Sequence, residues 1–527
     1  MGGRVDLLGH APRRAAVRRP RYRASGSWSP EPVDVVRSAA ARHPRRLALK
    51  DRTGELTYAG LDARVDSACR AMVEAGVAAS APMLLVVGND VESVVAVHAA
   101  LRLDAVILLV PRSAGASQVA DILSRTAAAY GVAPNWPVKA ELAGRCRWIE
   151  TDRGAGDSVV DRCRRPADEP CVVLYTSGTT SKPKGVVHSL STLIKSSANY
   201  IAAAGLTGRD RVFLISPLAS VTGVLQAVFI PPMLGVPVIL EDRWDPTTTC
   251  ELLVSSGATW YGGPDRLLDR LLDEAVARDA QIPLRAVYLG GTMLDRRIVE
   301  RIENQFGIVV MRAYGSSEVP VSSSGLRDET AQVRHADDGV PLDDVEVRIG
   351  SSGEVSECCI RGPHAFLGYA DPADDTAAFD GDWFRTGDLA DLTGGRVRIV
   401  GRIKEIVIRN GMKIPTAEVE EAAARIDRVR ECAAYSVADA TTGERLALAM
   451  VVDGATPMSL SEVVNSLVAE GLPKYKLPEE LVFWDEPLPV NANGKVERNS
   501  LDARSAGRPR VLADRLTIAT GAEIPGQ

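Results

Sequence analysis

The sequence contains no apolar run long enough to cross a membrane as a helix. Its eight cysteines include no CxxC pair and no metal-ligand spacing, which favours reduced structural cysteines in a cytoplasmic protein. Neither sign of charge dominates: the net charge of −6 gives no overall attraction to nucleic acid or to an anionic membrane. These absences leave a cytoplasmic protein without a membrane span or a nucleic-acid partner as the expectation.

The N-terminal segment also lacks the apolar core of a signal peptide. Its arginines suggest a disordered basic leader over residues 1–27, and contact with RNA or lipid is the alternative interpretation. The final residues, 504–527, are weakly patterned and are expected to be weakly ordered. The arginines that interrupt the leader are Arg13, Arg14, Arg18, Arg19, Arg21 and Arg23.

The 527 residues are too many for one hydrophobic core, so two or more domains are expected. Residues 83–87 and 105–110 are apolar runs typical of buried parallel strands, and residues 91–103 between them have helical periodicity. This strand–helix–strand rhythm repeats as far as Ala313 and indicates stacked α/β subdomains.

The pattern changes beyond about Gly339, where short strands separated by Gly or Asp turns indicate an antiparallel or barrel-like segment. A smaller α+β unit begins after Gly401. The predicted fold class is therefore α/β, with a large N-terminal domain over residues 28–401 and a small α+β C-terminal domain that ends near residue 503.

The most informative segment is LYTSGTTSKPKG, residues 174–185. An apolar strand leads into a loop of small residues, which lets backbone N–H groups converge on phosphate oxygens. Ser177, Thr179 and Thr180 add hydroxyl donors and Lys184 adds positive charge. The loop lacks the GK(S/T) ending of a Walker A motif. On composition alone, a flexible surface loop is the alternative interpretation.

This segment resembles the (S/T)SG(S/T)TGxPKG signature of the adenylate-forming superfamily, which includes acyl-CoA synthetases, adenylation domains of nonribosomal peptide synthetases and firefly luciferase. Ser181 stands where the family usually has glycine, and a positive φ there would strain the loop. The resemblance implies a loop that binds the phosphates of ATP through Thr176, Ser177, Gly178, Thr179 and Thr180, with Thr176 also near the metal.

A second match is YGSSE, residues 314–318, which resembles the family's YGxTE with Ser317 in place of threonine. By resemblance Tyr314 lies against adenine and Glu318 binds Mg²⁺, for which a carboxylate oxygen is a suitable ligand. Taken alone, Glu318 would be a solvated turn residue. The remaining residues that the resemblance assigns to the nucleotide site are Gly290, Gly291, Thr292, Gly315, Ser316 and Ser317.

Three further matches follow in the order of the family. FRTGD ends at Asp388, which would accept hydrogen bonds from the ribose. In GRIKEIVIRNG, Arg402 would contact ribose or phosphate and Lys404 would lie in a hinge over residues 402–404. In NANGKVER, Lys495 would reach the α-phosphate and the carboxylate. Plain turns and surface charge are the alternatives for each motif alone. Gly411 and Met412 would line the approach of the thiol.

The resemblance covers about residues 30–500 and implies an AMP-forming ligase. Such an enzyme uses ATP and Mg²⁺ to convert a carboxylic acid into an acyl-adenylate, with Lys495, Glu318 and Lys184 as the catalytic side chains. A small mobile C-terminal domain, here residues 405–503, then admits a thiol. The thiol belongs to coenzyme A or, as the alternative, to the phosphopantetheine of an acyl or peptidyl carrier protein. A degenerate, non-catalytic ATP-binding protein is a remote alternative, and a monomer or homodimer is expected.

The acid itself is limited by what the chain lacks. Amino-acid-activating relatives carry an aspartate early in the segment that aligns with residues 217–223, which is uncharged here, so a buried ammonium would have no partner. We therefore expect an apolar aryl, alicyclic or short to medium acyl acid and no α-amino acid. The predicted pocket is lined by Ser220, Val221, Thr222, Trp260, Tyr261, Gly262 and Gly263.

Overall fold

The computed structural model describes residues 10–153, 163–176, 183–290, 296–354, 356–454, 457–490, 496–513 and 516. Its helices are α1 (His10–Ala24), α2 (Val35–Arg42), α3 (Tyr58–Glu74), α4 (Val91–Arg102), α5 (Ala116–Thr126), α6 (Leu190–Ala204), α7 (Val221–Val224), α8 (Ile230–Leu234), α9 (Pro246–Ser255), α10 (Asp265–Ala277), α11 (Arg296–Phe306), α12 (Ala331–Arg334), α13 (Pro372–Asp375), α14 (Thr416–Ala423), α15 (Leu460–Ala469) and α16 (Arg498–Arg504).

The strands up to the end of the large domain are β1 (Leu47–Lys50), β2 (Glu55–Thr57), β3 (Pro82–Val87), β4 (Val106–Pro111), β5 (Tyr130–Val132), β6 (Arg147–Trp148), β7 (Pro170–Thr176), β8 (Lys184–Ser189), β9 (Val212–Leu214), β10 (Val238–Leu240), β11 (Trp260–Gly263), β12 (Ala286–Gly290), β13 (Val309–Tyr314), β14 (Ser323–Ser324), β15 (Val340–Pro341), β16 (Glu346–Ile349), β17 (Glu357–Arg361), β18 (Gly368–Tyr369), β19 (Phe379–Asp380), β20 (Trp383–Thr393) and β21 (Arg396–Arg402). The small domain contributes β22 (Ile406–Arg409), β23 (Met412–Pro415), β24 (Val429–Asp439), β25 (Gly443–Val452), β26 (Glu480–Trp484) and β27 (Arg510–Leu512).

Two stacked α/β layers form most of the large domain. One sheet has the strand order β18-β8-β7-β4-β3-β5-β6 among the described strands, and the other runs β15-β14-β13-β12-β11-β9-β10-β1-β2. The centres of both sheets are parallel and almost wholly buried, which accounts for the continuous apolar runs of β3 and β4. Helix α6 follows β8 directly, most of its residues are buried, and its first turn is satisfied by a capping box between Ser189 and Thr192.

The segment expected to be antiparallel or barrel-like is an antiparallel sheet built from β16, β17, β19, β20 and β21. After Arg402 the chain leaves this sheet, makes a 3-10 turn over Ile403–Glu405 and enters the sheet of the small domain at β22. The predicted fold class is confirmed by this arrangement.

The prediction of a disordered leader is wrong where the structure describes it. Residues 10–24 form helix α1, and the side chains of Ala15, Tyr22 and Trp28 are buried. The sequence suggests that the arginines of this segment are solvated, but several of them contact residues far along the chain. No local sequence pattern indicates such contacts. Arg19 and Arg23, for example, both bond the buried carboxylate of Asp168.

The prediction of a weakly ordered tail also fails in part. Strand β27 pairs antiparallel with β26, with Leu512 opposite Glu480. The small domain therefore extends beyond residue 503, because the edge of its sheet supplies partners that a three-residue strand lacks alone.

Candidate active site

A β-hairpin presents the predicted phosphate loop. Strands β7 and β8 are antiparallel neighbours, and Thr176 stands opposite Lys184 where they flank the loop. Lys184 Nζ lies 3.3 Å from Asp374 Oδ1 and 4.8 Å from the centre of the Tyr369 ring. Residues 177–182, which include the predicted Ser177, Gly178, Thr179 and Thr180 and the substituted Ser181, lie outside the described residues.

The loop after β13 carries Glu318, and β18 holds it from the opposite side. The Tyr369 hydroxyl donates to Glu318 Oε1 at 2.7 Å, and the Phe366 N–H donates to the Glu318 carbonyl at 2.8 Å. Burial, followed by the charge of Glu318, raises the pKa of Tyr369, so the phenol remains a donor. One oxygen of this carboxylate is therefore fixed in place before any ligand arrives.

The same loop is also held by a buried histidine in β8. His188 Nε2 lies 2.7 Å from the Ser317 carbonyl, and its Nδ1 lies 3.0 Å from Thr192 Oγ1. Burial lowers the pKa of His188 to about 4, so the ring is neutral at pH 7. A carbonyl can only accept, which assigns the single ring proton to Nε2.

Gly315 allows this loop to turn tightly. A Cβ atom there would lie 2.5 Å from the Val321 nitrogen, so a larger residue would displace the backbone. Val321 itself has φ of 49°, an outlier for a β-branched residue. Ser316 Oγ accepts from the Glu318 N–H at 3.2 Å and closes the turn.

A second group of side chains surrounds Asp388. The Tyr314 hydroxyl donates to Asp388 Oδ2 at 2.7 Å, and Arg402 Nε lies 2.9 Å from Asp388 Oδ1. Burial and the Asp388 charge raise the pKa of Tyr314 well above its usual value, which keeps the phenol protonated. A carboxylate has further lone pairs, so Asp388 can still accept from ribose hydroxyls.

The donor set suits magnesium better than a protein-caged metal. Among the described residues, no group of three or more His, Cys, Asp or Glu side chains is arranged to hold a metal ion. Mg²⁺ is commonly held by one or two carboxylates together with substrate phosphates. Glu318, beside the phosphate hairpin, fits this pattern as the carboxylate.

Part of the predicted acyl pocket forms one aromatic wall. The Trp260 indole N–H donates to the Tyr200 hydroxyl at 3.1 Å, and the rings of Tyr200 and Tyr288 meet edge to face at 4.7 Å. Gly262, two residues after Trp260 on the same face of β11, abuts this wall: a Cβ there would lie 2.4 Å from the Tyr200 oxygen. The Gln226 amide also donates to the Gly262 carbonyl at 3.0 Å.

The structure does not bring all predicted pocket residues together. Tyr261 points to the opposite face of β11 from Trp260, where it belongs to a different buried cluster, together with Leu268 and Leu271. A Cβ on Gly263 would touch that Tyr261 ring at 3.0 Å, so Gly263 shares the far face. Ser220 caps α7 by accepting from the Gly223 N–H at 3.0 Å, while Val221 and Thr222 remain partly exposed.

The hinge and thiol residues lie at the domain junction and on the small domain. Lys404 is exposed within the 3-10 turn. Asn410 and Gly411, both with positive φ, turn β22 into β23, as expected for an Asn-Gly hairpin. Met412 is 41% exposed. Gly290 ends β12 and is exposed, while Gly291, Thr292 and Lys495 lie outside the described residues.

Sequence reasoning missed three side chains that this site uses. Tyr369 fixes Glu318, His188 holds the Ser317 carbonyl, and Asp374 pairs with Lys184. The signal available for His188 was its place in a strand directly after the phosphate loop. Tyr369 and Asp374 reach the site from a distant segment and give no comparable local signal.

A two-domain α/β chain that presents a phosphate hairpin, a carboxylate loop and an aspartate–arginine pair has the architecture of adenylate-forming enzymes. The model of the AMP-binding enzyme family matches residues 36–370, and that of the AMP-binding enzyme C-terminal domain matches residues 418–495. The chain therefore belongs to the AMP-binding enzyme family. The predicted enzyme class, an AMP-forming acyl-CoA ligase, is confirmed by these matches and by the relatives that follow.

Two curated relatives of this chain are named as CoA ligases. The medium-chain fatty-acid–CoA ligase of Escherichia coli is 27% identical over 94% of this chain and 93% of its own. A methyl-dioxo-octahydroindenyl-propanoyl:CoA ligase of Mycobacterium tuberculosis is 32% identical over 69% and 72% of the two chains. Among solved structures, o-succinylbenzoate CoA synthetase of Bacillus subtilis in complex with ATP and magnesium ion is 25% identical, with a TM-score of 0.78 over 89% of this chain and 99% of its own.

Proposed function

We propose that this enzyme adenylates an apolar carboxylic acid with ATP and transfers the acyl group to coenzyme A. The observation that carries the proposal is the loop of residues 314–318, which joins both groups of side chains. Its first residue, Tyr314, bonds Asp388, and its last, Glu318, bonds Tyr369 next to Lys184. Groups suited to ribose and to phosphate are thereby presented on one short segment.

The first half-reaction must overcome repulsion between a carboxylate and an anionic phosphate. Lys184 and Lys495 would supply positive charge to the phosphates, and Glu318 would hold Mg²⁺, which neutralises phosphate charge when bound. Asp388 and Arg402 would orient the ribose so that the α-phosphorus faces the acid. Closure of the small domain would exclude water from the acyl-adenylate, a mixed anhydride prone to hydrolysis.

The proposed acid is an aryl, alicyclic or short to medium acyl acid and not an α-amino acid. Support comes from the rings of Trp260, Tyr200 and Tyr288, which form an apolar wall, and from the uncharged segment 217–223. Relatives named for a medium-chain fatty acid and for a 2-hydroxy-7-methoxy-5-methyl-1-naphthoate are compatible with such a body.

Coenzyme A is the proposed acceptor because the relatives described above are CoA ligases. We also propose a cytoplasmic location. The eight cysteines form no disulfide, as a reducing compartment would require. Among the described residues, no helix is long and apolar enough to span a membrane.

The direct experiment is acid-dependent ATP–pyrophosphate exchange across a panel of aryl, alicyclic, fatty and amino acids, followed by thioester formation with CoA or with a phosphopantetheinylated carrier protein. We expect exchange with apolar acids and thioester with CoA. Exchange restricted to amino acids would refute the proposed acid class. Transfer to the carrier protein alone would replace the proposed acceptor.

Lys495 can be tested separately from the rest of the site. Lys495→Ala should abolish pyrophosphate exchange, because the charge on the α-phosphate is lost, while transfer from supplied acyl-AMP to CoA persists. Lys474→Ala, at an exposed lysine of the same domain, is the matched control. Full exchange by the Lys495 variant would remove this residue from its assigned role.

A further inference from the structure

Helix α1 lies directly on strand β18. Ala11 and Ala15 are buried in this contact. The approach is close at Gly368: a Cβ there would lie 3.6 Å from the Ala11 Cα and 3.5 Å from the Arg14 Cδ. Gly368 has φ of 148°, a conformation that favours glycine. The helix thus approaches the backbone of β18 closely at Gly368.

The central contact is made by Arg18. Its guanidinium donates to the Phe366 carbonyl at 2.9 Å and to the Leu367 carbonyl at 3.3 Å, and the residue is only 6% exposed. Burying a charged group costs free energy unless hydrogen bonds compensate. Here part of the compensation comes from two successive carbonyls, so the position of Arg18 and the position of this backbone depend on each other.

The same short segment holds Glu318 on its other side. The Phe366 N–H donates to the Glu318 carbonyl at 2.8 Å, and the Tyr369 hydroxyl donates to Glu318 Oε1 at 2.7 Å. The Leu367 N–H donates to the Val187 carbonyl at 2.8 Å, which ties the segment to the phosphate hairpin. Segment 366–369 therefore lies between Arg18 and the proposed magnesium carboxylate.

Neighbouring contacts brace the same segment. The Arg14 guanidinium lies 3.4 Å from the centre of the Phe379 ring, which stacks on Phe366 at 5.4 Å with an interplanar angle of 13°. The Trp28 indole N–H donates to the Pro363 carbonyl at 2.7 Å. Contacts from α1, and from Trp28 after it, are thus made with the segment that leads into β18.

We propose that Arg18 is a positioning residue for Glu318, acting through the backbone of residues 366–369. By this route the arginine-rich N-terminal segment sets the geometry with which the enzyme engages Mg²⁺ and ATP. This inference rests on the proposed role of Glu318 at the metal. It assigns a function to a helix that lies outside the matched family domains, which begin at residue 36.

The test compares Arg18→Met with wild type in the full-length protein. Methionine keeps an unbranched side chain but removes the donors, so amide hydrogen exchange should speed up at residues 366–369 and 316–319. The Mg²⁺ concentration needed for half-maximal pyrophosphate exchange should rise about tenfold, as for other residues that orient a metal ligand. Calorimetry should show a weaker affinity for ATP in the presence of Mg²⁺. Arg18→Lys keeps a charged donor, so its amide exchange, Mg²⁺ requirement and ATP affinity should lie between those of Arg18→Met and wild type.

Arg21→Met is the matched control, because Arg21 is on the same helix but 56% exposed and paired with Glu346 at the surface. It should leave all three measurements unchanged. If Arg18→Met does not fold, Trp28→Phe removes the donor to Pro363 while keeping an aromatic ring, and it should give the same changes in weaker form.

Faster amide exchange at residues 366–369 with unchanged Mg²⁺ dependence and unchanged ATP affinity would overturn the proposal and leave α1 a purely structural helix. Unchanged amide exchange would overturn it as well. Failure of the proposed function would give a different result, because wild type would then show no pyrophosphate exchange with any acid. Amide hydrogen exchange and ATP affinity would still report whether Arg18 positions the loop.

Discussion

At the scale of single residues, the position of the proposed metal-binding carboxylate depends on its partners as much as on its motif. Glu318 is held at its carbonyl by Phe366 and at its side chain by Tyr369. A hydrogen bond to a charged group contributes about 1.5–3 kcal/mol, enough to select one orientation of a carboxylate. The Tyr369 hydroxyl is therefore the contact whose loss should be most visible in catalysis.

Tyr369→Phe removes that hydroxyl and keeps the ring beside Lys184. Pyrophosphate exchange should fall roughly 10-fold to 100-fold and require more Mg²⁺, because the carboxylate gains freedom. The melting temperature should fall by only a few degrees, as expected for the loss of one hydrogen bond. Tyr435→Phe is the control, since it removes a similar hydroxyl bond, to Ser505 at 3.1 Å, in the small domain. Equal losses in both variants would show that Tyr369 does not act through Glu318.

At the scale of elements, strand β11 contributes to the proposed acid pocket through Gly262, a residue without a side chain. A Cβ on Gly262 would lie 2.4 Å from the Tyr200 hydroxyl oxygen and 2.7 Å from Gln226 Oε1. Tyr200 cannot easily withdraw, because it is buried between Trp260 and Tyr288.

Gly262→Ala should therefore push the aromatic wall toward the acid and penalise bulky substrates. We expect the ratio of kcat/KM for an aryl acid to that for a short acyl acid to fall about tenfold, within the range that a pocket methylene gives. Gly115→Ala is the control, because a Cβ there meets nothing within 4 Å. An unchanged ratio would exclude Gly262 from the pocket.

Elements with strong local periodicity could be predicted from the sequence. The strand–helix–strand unit appears as β3, α4 and β4 within a residue or two of the expected bounds. Helix α1 could not be predicted, because its arginines suggest a solvated segment and the partners of Arg18, Arg19 and Arg23 lie far along the chain. Likewise, the face chosen by Tyr261 follows from the register of β11, which the motif alone does not give.

At the scale of the whole molecule, buried histidines make stability depend on pH. Burial lowers the pKa from 6.5 to about 4 for His98 and His188 and to about 3 for His364. The unfolded chain takes up protons below pH 6.5 while the folded chain excludes them, so stability falls as the pH decreases from 6.5 toward 4. At pH 5 each histidine costs roughly 2 kcal/mol.

The melting temperature should accordingly be level near pH 7–8 and decline below about pH 6.5. His98→Gln should make the decline less steep, because one buried group no longer resists protonation. His43→Gln, at a partly exposed histidine, is the control. Parallel curves for wild type and His98→Gln would contradict this account.

The junction between the domains should separate the two half-reactions. Among the contacts that join the domains, Arg297 Nη1 donates to the Val429 carbonyl at 3.0 Å, and Arg266 lies 3.4 Å from Glu431. A rotation of the small domain would break these contacts and would change the dihedral angles of the turn at Lys404. Proline fixes φ near −65° and would resist that change.

Lys404→Pro should therefore retain pyrophosphate exchange and lose roughly tenfold or more in thioester formation. Lys404→Ala separates loss of the side chain from loss of backbone freedom and should be affected much less. Equal losses in the two half-reactions would show that this turn is not the pivot.

Helix α1 also has a consequence for how the chain is made. Arg18 and Phe366 are 348 residues apart, so at ribosomal rates of roughly 5–20 residues per second the helix emerges roughly 20–70 s before its docking surface. During that interval its arginines keep it hydrated rather than exposed as an apolar, aggregation-prone segment. Helix α1 is therefore synthesised before Glu318, but it can dock only after residues 366–369 have been made.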